Sequence, residues 1–177
     1  MTSFLVVSGS PSAVSKTALL GDLVASRLGE ARHVRLRDLP PAALLAADAS
    51  DPQVRDAVDA VAAADAVVLL TPIYKAGAAG LLKVFLDLLP QNGFEGKTVL
   101  PMALCRSMAH LLALDYGLHP VLQSMGSQRV LRSLVLLEEH LEIDPSGRAG
   151  LVPDGELRLL DVVAELRDGI VLSSARV

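Results

Sequence analysis

The chain predicts a three-layer α/β fold: a five-stranded parallel sheet with helices on both faces, in one domain spanning residues 1–177. Three observations predict it. Short apolar runs that suit strands alternate along the chain with longer stretches whose apolar residues recur at spacings of three and four. Strands separated by whole helices need crossover connections, and crossovers make neighbouring strands parallel. The composition agrees, because 51% of residues are hydrophobic but only 3% aromatic, with no tryptophan, so the interior must be packed from Leu, Val and Ala. At 177 residues the chain is long enough to bury one substantial core.

The apolar residues before Ser8 suit a strand covered on both faces, and Leu19, Leu20, Leu23, Val24 and Leu28 mark the first helix. His33 to Leu39 alternates polar and apolar residues, as an edge or near-edge strand does, and Pro40-Pro41 ends it. Ala42 to Asp51 reads as an irregular or helical connection. Gln53 to Ala64 carries Val54, Val58 and Val61 at helical spacing, and Asp65 to Leu70 follows as the third strand, broken by Thr71-Pro72. Gly80 to Leu89 forms the next helix, stopped by Pro90. Lys97 to Leu104 is the fourth strand, with Pro101 marking a bulge or irregularity. Ser107 to Met125 is a helix and Arg129 to Leu137 the fifth strand. Glu138 to Gly155 is an extended surface excursion with turns at Asp144-Pro-Ser-Gly and Pro153-Asp-Gly, and a last helix runs from about Glu156 to Leu172.

Ligands of such sheets bind beyond the carboxyl ends of the strands, so the connections Gly9 to Lys16, Thr71 to Gly80 and Leu104 to Ser107 matter most. The first holds Gly9, Ser10, Ser12, Ser15, Lys16 and Thr17. A helix start offers unpaired N–H groups and the positive end of a dipole, and added hydroxyls and an ammonium complete a cup for a dianionic phosphate. The same residues also suit an ordinary turn with a Ser or Thr cap. The Walker pattern fails because Ser15 stands where its second glycine belongs, and the dinucleotide fingerprint fails because Gly9 is the loop's only glycine. What remains is a loop of the flavodoxin style, in which hydroxyls and amides hold a mononucleotide phosphate, and that points to FMN.

A net charge of -4 without a basic run or aromatic platform argues against a nucleic-acid surface. Cys105 is the only cysteine, the start lacks a signal peptide, and no uncharged apolar segment reaches the roughly 18 residues of a membrane span, so a cytoplasmic protein is expected. His33, His119 and His140 lack metal-ligand spacing, as do the carboxylates, and no metal is expected.

Thr71-Pro-Ile-Tyr-Lys-Ala-Gly-Ala-Ala-Gly-Leu-Leu-Lys83, followed by Leu86-Asp-Leu-Leu-Pro90, resembles the NAD(P)H-dependent FMN reductases. The likeness is nearest to the reductase components of two-component alkanesulfonate monooxygenases. It continues through Gly96-Lys, Val99-Leu-Pro101 and Ala109-His-Leu-Leu-Ala-Leu-Asp-Tyr-Gly-Leu-His-Pro-Val-Leu122, so that order and spacing agree from Val6 to about Leu131. The resemblance implies a flavodoxin-like fold, an FMN site, and hydride transfer from NADPH or NADH to the flavin. Within it Ser10, Ser15, Lys16 and Thr17 match the phosphate loop, while Pro72, Ile73, Tyr74 and Lys75 match the segment beside the isoalloxazine ring. Two positions depart. Ser12 stands where the family usually places arginine after Ser-Pro, in a loop one residue shorter, and Cys105-Arg106-Ser107 replaces a glycine-rich turn against the flavin.

Together these give the expected FMN-binding set: Ser10, Ser12, Ser15, Lys16 and Thr17; Pro72, Ile73, Tyr74 and Lys75; and Cys105, Arg106 and Ser107. Tyr74 is a ring contact or a partly buried tyrosine. Cys105, with His110 near it in sequence but no third orienting group, reads as a small buried side chain rather than a nucleophile. Arg106 has three readings: counter-ion to reduced flavin, partner of the extra phosphate of NADPH, or solvated arginine. No catalytic acid, base or nucleophile is expected, since hydride transfer between cofactors needs none. The resemblance further implies a homodimer or homotetramer with Tyr116 in a helical bulge at the interface, and a flavin-dependent monooxygenase of sulfonate assimilation as recipient of reduced flavin. A flavodoxin-like electron carrier and a quinone or azo reductase share the fold and remain alternatives.

Overall fold

The computed structural model describes residues 3–29 and 31–174, the segment 170–174 through its backbone only. In chain order the elements are β1 (Phe4–Ser8), α1 (Lys16–Arg27), β2 (Arg32–Arg35), α2 (Pro41–Leu45), α3 (Pro52–Ala63), β3 (Ala66–Tyr74), β4 (Gly77–Ala78) and α4 (Gly80–Leu86). Then come β5 (Thr98–Cys105), α5 (Leu111–Ala113), α6 (His119–Ser124), β6 (Arg129–Val130), β7 (Leu134–Leu137), β8 (Leu141–Ile143), β9 (Ala149–Leu151) and α7 (Pro153–Ser174). Ser15 sets the start of α1, its Oγ accepting the Ala18 N–H at 3.0 Å. Asp51 does the same for α3 through the N–H groups of Gln53 and Val54, with Pro52 in the first turn.

The main sheet runs β2-β1-β3-β5-β6, with β7 also on β5 and β4 on β3. All pairings except β3 with β4 are parallel. The sheet therefore counts seven strands rather than five, because the fifth strand position is divided into β6 and β7 and because β3 carries the two-residue β4. The fold class is as expected. Side chains alternate along each strand between two buried layers. Leu5, Val7, Val67, Leu69 and Val99 pack with α3, α4 and the 111–125 segment on one face, whereas Val6, Val68, Leu70, Leu100 and Met102 pack under α1 and α7 on the other.

Both strand prolines sit where a donor is not needed. The Gly9 N–H bonds to Leu70 O at 2.8 Å, so Leu70 and Pro72 face the β1 side, and β1 has ended one pair earlier at Ser8↔Leu70. Thr71-Pro72 therefore does not break the third strand as expected; β3 continues to Tyr74, still paired with β5 at Pro72↔Leu104. Pro101 faces the other neighbour, because Val99 O accepts from Leu131 N at 2.8 Å. There the ladder is interrupted: β5 pairs with β6 through Val99 and with β7 from Met102 onward. The irregularity expected at Pro101 thus lies in its neighbour.

Other boundaries need correction. The second strand is Arg32–Arg35, not His33 to Leu39, because its partner β1 ends at Ser8↔Arg35 and Leu36–Asp38 turns into a 3-10 helix that buries Leu36. The helix after Gly80 closes at Leu86, and Asp87 to Leu89 are turn residues. Ser107 to Met125 is not one α-helix but a 3-10 turn (Met108–His110), α5, a π-helical turn (Leu114–Leu118) and α6. The surface excursion contains the hairpin β8–β9, and Pro153-Asp-Gly is the first turn of α7 rather than a loop, proline being suited to that position.

Candidate functional site

A cleft of about 450 Å³ opens at the carboxyl edge of the sheet. Its size lies within the roughly 300–1,000 Å³ of small-molecule sites. The loop after β1 supplies Ser10, Ser12, Ser15, Lys16 and Thr17; the end of β3 supplies Pro72, Ile73 and Tyr74; the end of β5 supplies Cys105 and Arg106. These residues, drawn from three separate connections, were expected to meet, and they do. Lys75 lies at the tip of the β3–β4 turn and Ser107 caps the following 3-10 helix; neither lines the cleft. A wider hollow beside β2 is lined by the paired charges Arg32–Asp56 and Asp22–Arg35, and another is made within the β8–β9 hairpin and shares Ile143 with the cleft.

The loop after β1 is tightly folded on itself. Ser10 Oγ accepts from Ser12 N at 3.3 Å, Ser12 Oγ donates to Val14 O at 2.8 Å, and Arg37 from the turn after β2 donates to Pro11 O at 2.6 Å. A guanidinium thus reaches this loop from another element although Ser12 replaces the expected arginine. Gly9 is required by crowding, since a Cβ there would stand 2.7 Å from Leu82 Cβ on α4. The first-turn N–H groups of Lys16 and Thr17 have no acceptor within α1 and face the anion-favouring end of a 12-residue helix.

Tyr74 is half-exposed, at 49%, where the cleft needs an aromatic wall. It is carried there by the β3–β4 hairpin, closed by Thr71, whose Oγ1 accepts from Ala79 N and donates to Pro72 O, both at 2.9 Å. Lys75 and Ala76 form the turn with φ of 51° and 61°. Cys105 is buried and its thiol is pushed up, first by burial and further by Glu138, against the opposing Ser107 backbone; its Sγ donates to Ser107 O at 3.2 Å. It is a protonated wall rather than a nucleophile. Arg106 is exposed and makes no hydrogen bond or ion pair among the described residues.

Sequence reasoning missed Val14, His110, Glu138 and Ile143, all of which line the cleft. Glu138 follows the end of β7, so extending the carboxyl-edge rule to the fifth strand finds it. No signal marked Ile143, which arrives on the β8–β9 hairpin. His110 Nδ1 is buried without a hydrogen-bond partner among the described residues. An orphaned polar atom in a cleft that also offers helix-start donors is what a polar ligand would complete, and the residues present fit FMN.

The chain resembles known proteins over most of its length. Residues 2–142 match the family model of the NADPH-dependent FMN reductases. The chain belongs to this family. An FMN reductase (NADPH) of Escherichia coli K12 is 35% identical over 159 residues, 88% of this chain and 83% of the relative. An FMN reductase (NADPH) of Pseudomonas putida is 40% identical over 136 residues, 73% and 69% of the two chains. An apo NADH:FMN oxidoreductase structure superposes with a TM-score of 0.85 at 39% identity, covering 96% of this chain and 90% of that one. Membership in the FMN reductases makes the chain an oxidoreductase, with FMN and NAD(P)H as its cofactors.

Proposed function

We propose that this FMN reductase delivers its reduced flavin to a separate flavin-dependent monooxygenase in the cytoplasm, FMN being exchanged at each turnover rather than retained. The observation that carries the reading is the convergence of the β1 loop, the Pro72–Tyr74 hairpin and Cys105-Arg106 on one cleft at the carboxyl edge. Support for a monooxygenase of sulfonate metabolism comes from the Thr71 to Leu122 pattern, which resembles the reductase components of such systems. A tightly held electron carrier would sandwich its flavin between aromatic rings, and among the described residues Tyr74 is the only Phe, Tyr or Trp lining this cleft.

In this reading the Ser10, Ser15 and Thr17 hydroxyls, the first N–H groups of α1 and Lys16 hold the phosphate, while Pro72, Ile73 and Tyr74 bound the ring. Bound FMN supplies the chemistry, accepting a hydride from the reduced nicotinamide. The chain's own work is to bind, to orient and to keep one face of the site free for a second ring. Arg106, exposed at the rim, is proposed to take the extra phosphate of NADPH. The exposed Met108, Leu112 and Tyr116 form an apolar face that we assign to a homodimer or homotetramer contact.

Steady-state NAD(P)H oxidation with FMN, with a quinone, and with neither added tests the reading. Turnover requiring free FMN, with reduced flavin appearing in solution, is expected. Turnover with quinone alone would replace the proposal by a quinone reductase, and a flavin that survives gel filtration bound would replace it by a carrier.

A further inference from the structure

Lys16 and Glu138 face each other in a way the flavin site does not by itself explain. Lys16 opens α1 behind β1, and Glu138 follows β7; in the sheet, β3 and β5 lie between those strands. Their side chains nevertheless meet, Nζ to Oε2 at 2.9 Å, and both line the cleft. The pair therefore crosses the carboxyl edge over the strands whose ends form the ring site. Glu138 also faces Cys105, whose thiol it helps to push up. A carboxylate is out of place in a hollow whose opposite wall consists of serines and helix-start N–H groups, because it repels the dianion that wall suits.

We propose that Glu138 is a specificity residue for the phosphate end of the flavin: its carboxylate holds Lys16 when the loop is empty and is displaced from it by the arriving phosphate. The inference rests on the proposed flavin site. Each binding event then exchanges one anionic partner of Lys16 for another and leaves the displaced carboxylate near the dianion. The gain from the ammonium is reduced at the phosphate and nowhere else, so FMN is weakened relative to a flavin without phosphate, and stays exchangeable. Both side chains are partly open to solvent, at 52% and 40%, so they part without unfolding anything around them. Breaking such an exposed pair weakens binding by roughly fivefold at most, with the remaining repulsion adding to it.

The test is Glu138→Gln, with FMN and riboflavin binding followed by quenching of flavin fluorescence at low and high salt. The expected result is FMN tightened about three- to tenfold at low salt, riboflavin changed less than about twofold, and the FMN gain reduced at high salt by screening. In a Lys16→Met background the gain from Glu138→Gln should shrink, because only the repulsion is left to remove. Unchanged or weaker FMN binding, or equal tightening of both flavins, overturns the role of Glu138. If the native protein quenches neither flavin, the flavin site itself is wrong and the inference falls with it.

Discussion

Asp22, His33 and Ser8 form a hydrogen-bonded chain beneath α1, with His33 Nδ1 2.8 Å from Asp22 Oδ1 and Nε2 2.9 Å from Ser8 Oγ. Gly21 makes the room, since a Cβ there would stand 2.5 Å from the imidazole. Burial lowers the titration of His33 below the ordinary 6.5 and outweighs the opposing pull of Asp22. The ring is thus neutral in the fold, donating from Nδ1 to the carboxylate and accepting the Ser8 hydroxyl at Nε2. The unfolded chain takes up this proton first, so stability is full above 6.5 and falls as pH drops below it toward the lowered folded value. Burial pushes the Asp22 carboxyl up, but bonds from Arg35 and His33 outweigh it and hold it below 3.8, so its share is lost only as pH falls through that lower value. Thermal melts from about pH 8 to about pH 5 should show this loss in the native protein and a flatter, lower profile in His33→Gln. At the rim, Arg106→Ala should raise KM for NADPH about tenfold and leave NADH nearly unchanged. Equal loss with both would indicate packing, a lowered potential of bound FMN would make Arg106 a counter-ion to reduced flavin, and no change would leave it a surface residue.

Two elements next to the cleft carry conformations that their residues do not favour. The β3–β4 hairpin turns on Lys75-Ala76 with both φ values positive, where Asn-Gly is the usual choice. Ala76→Gly should therefore stabilise the protein by about 1 kcal/mol, read as a higher denaturant midpoint, without displacing Tyr74. The π-helical turn at Leu114–Leu118 is held from outside: Ser133 Oγ donates to Asp115 Oδ1 at 2.8 Å and lies 3.0 Å from His119 Nε2. Ser133→Ala removes both contacts and should cost about 1–2 kcal/mol in chemical denaturation. The hairpin could not be placed from the chain alone; the bulge at Tyr116 was implied by the resemblance, but not the contacts that hold it. Lys75-Ala76 has no turn chemistry, and the pairing of Asp115 and His119 with Ser133 joins residues that only the folded sheet brings together. What could be read were the strands and helices with strong periodicity, such as Val54, Val58 and Val61 in α3, and the three carboxyl-edge connections. Element ends were misplaced where a neighbour decides them, as at Leu36, where β1 runs out.

For the whole molecule, the sheet's order places the ends of β1, β3, β5 and β7 side by side, which is why residues as far apart as Ser10 and Glu138 share one cleft. Among the described residues no helix is long and apolar enough to cross a membrane. The exposed Tyr116 and Leu112, at 79% and 58%, project from the segment that contains the π turn. Light scattering at micromolar concentration should find dimers or tetramers, and Tyr116→Ala with Leu112→Ala should shift them toward monomer; a native monomer would leave this face without its proposed partner. The proline inside β5 reaches further than its own strand. With no hydrogen at Pro101 N to offer, β5 cannot zip the fifth strand continuously, and the backbone at Arg132 and Ser133 stands off it, making no backbone bond among the described residues. In native-state hydrogen exchange these two amides should therefore exchange by local fluctuation, while those of Leu134 and Leu136, which point at β5, exchange only with the sheet. Pro101→Val would supply the missing proton to Leu131 O, draw Ser133 into register and slow its amide. The labelling pattern of Asp115 to His119 would then change as well, so that one absent hydrogen atom in the sheet could be followed by mass to the surface helix.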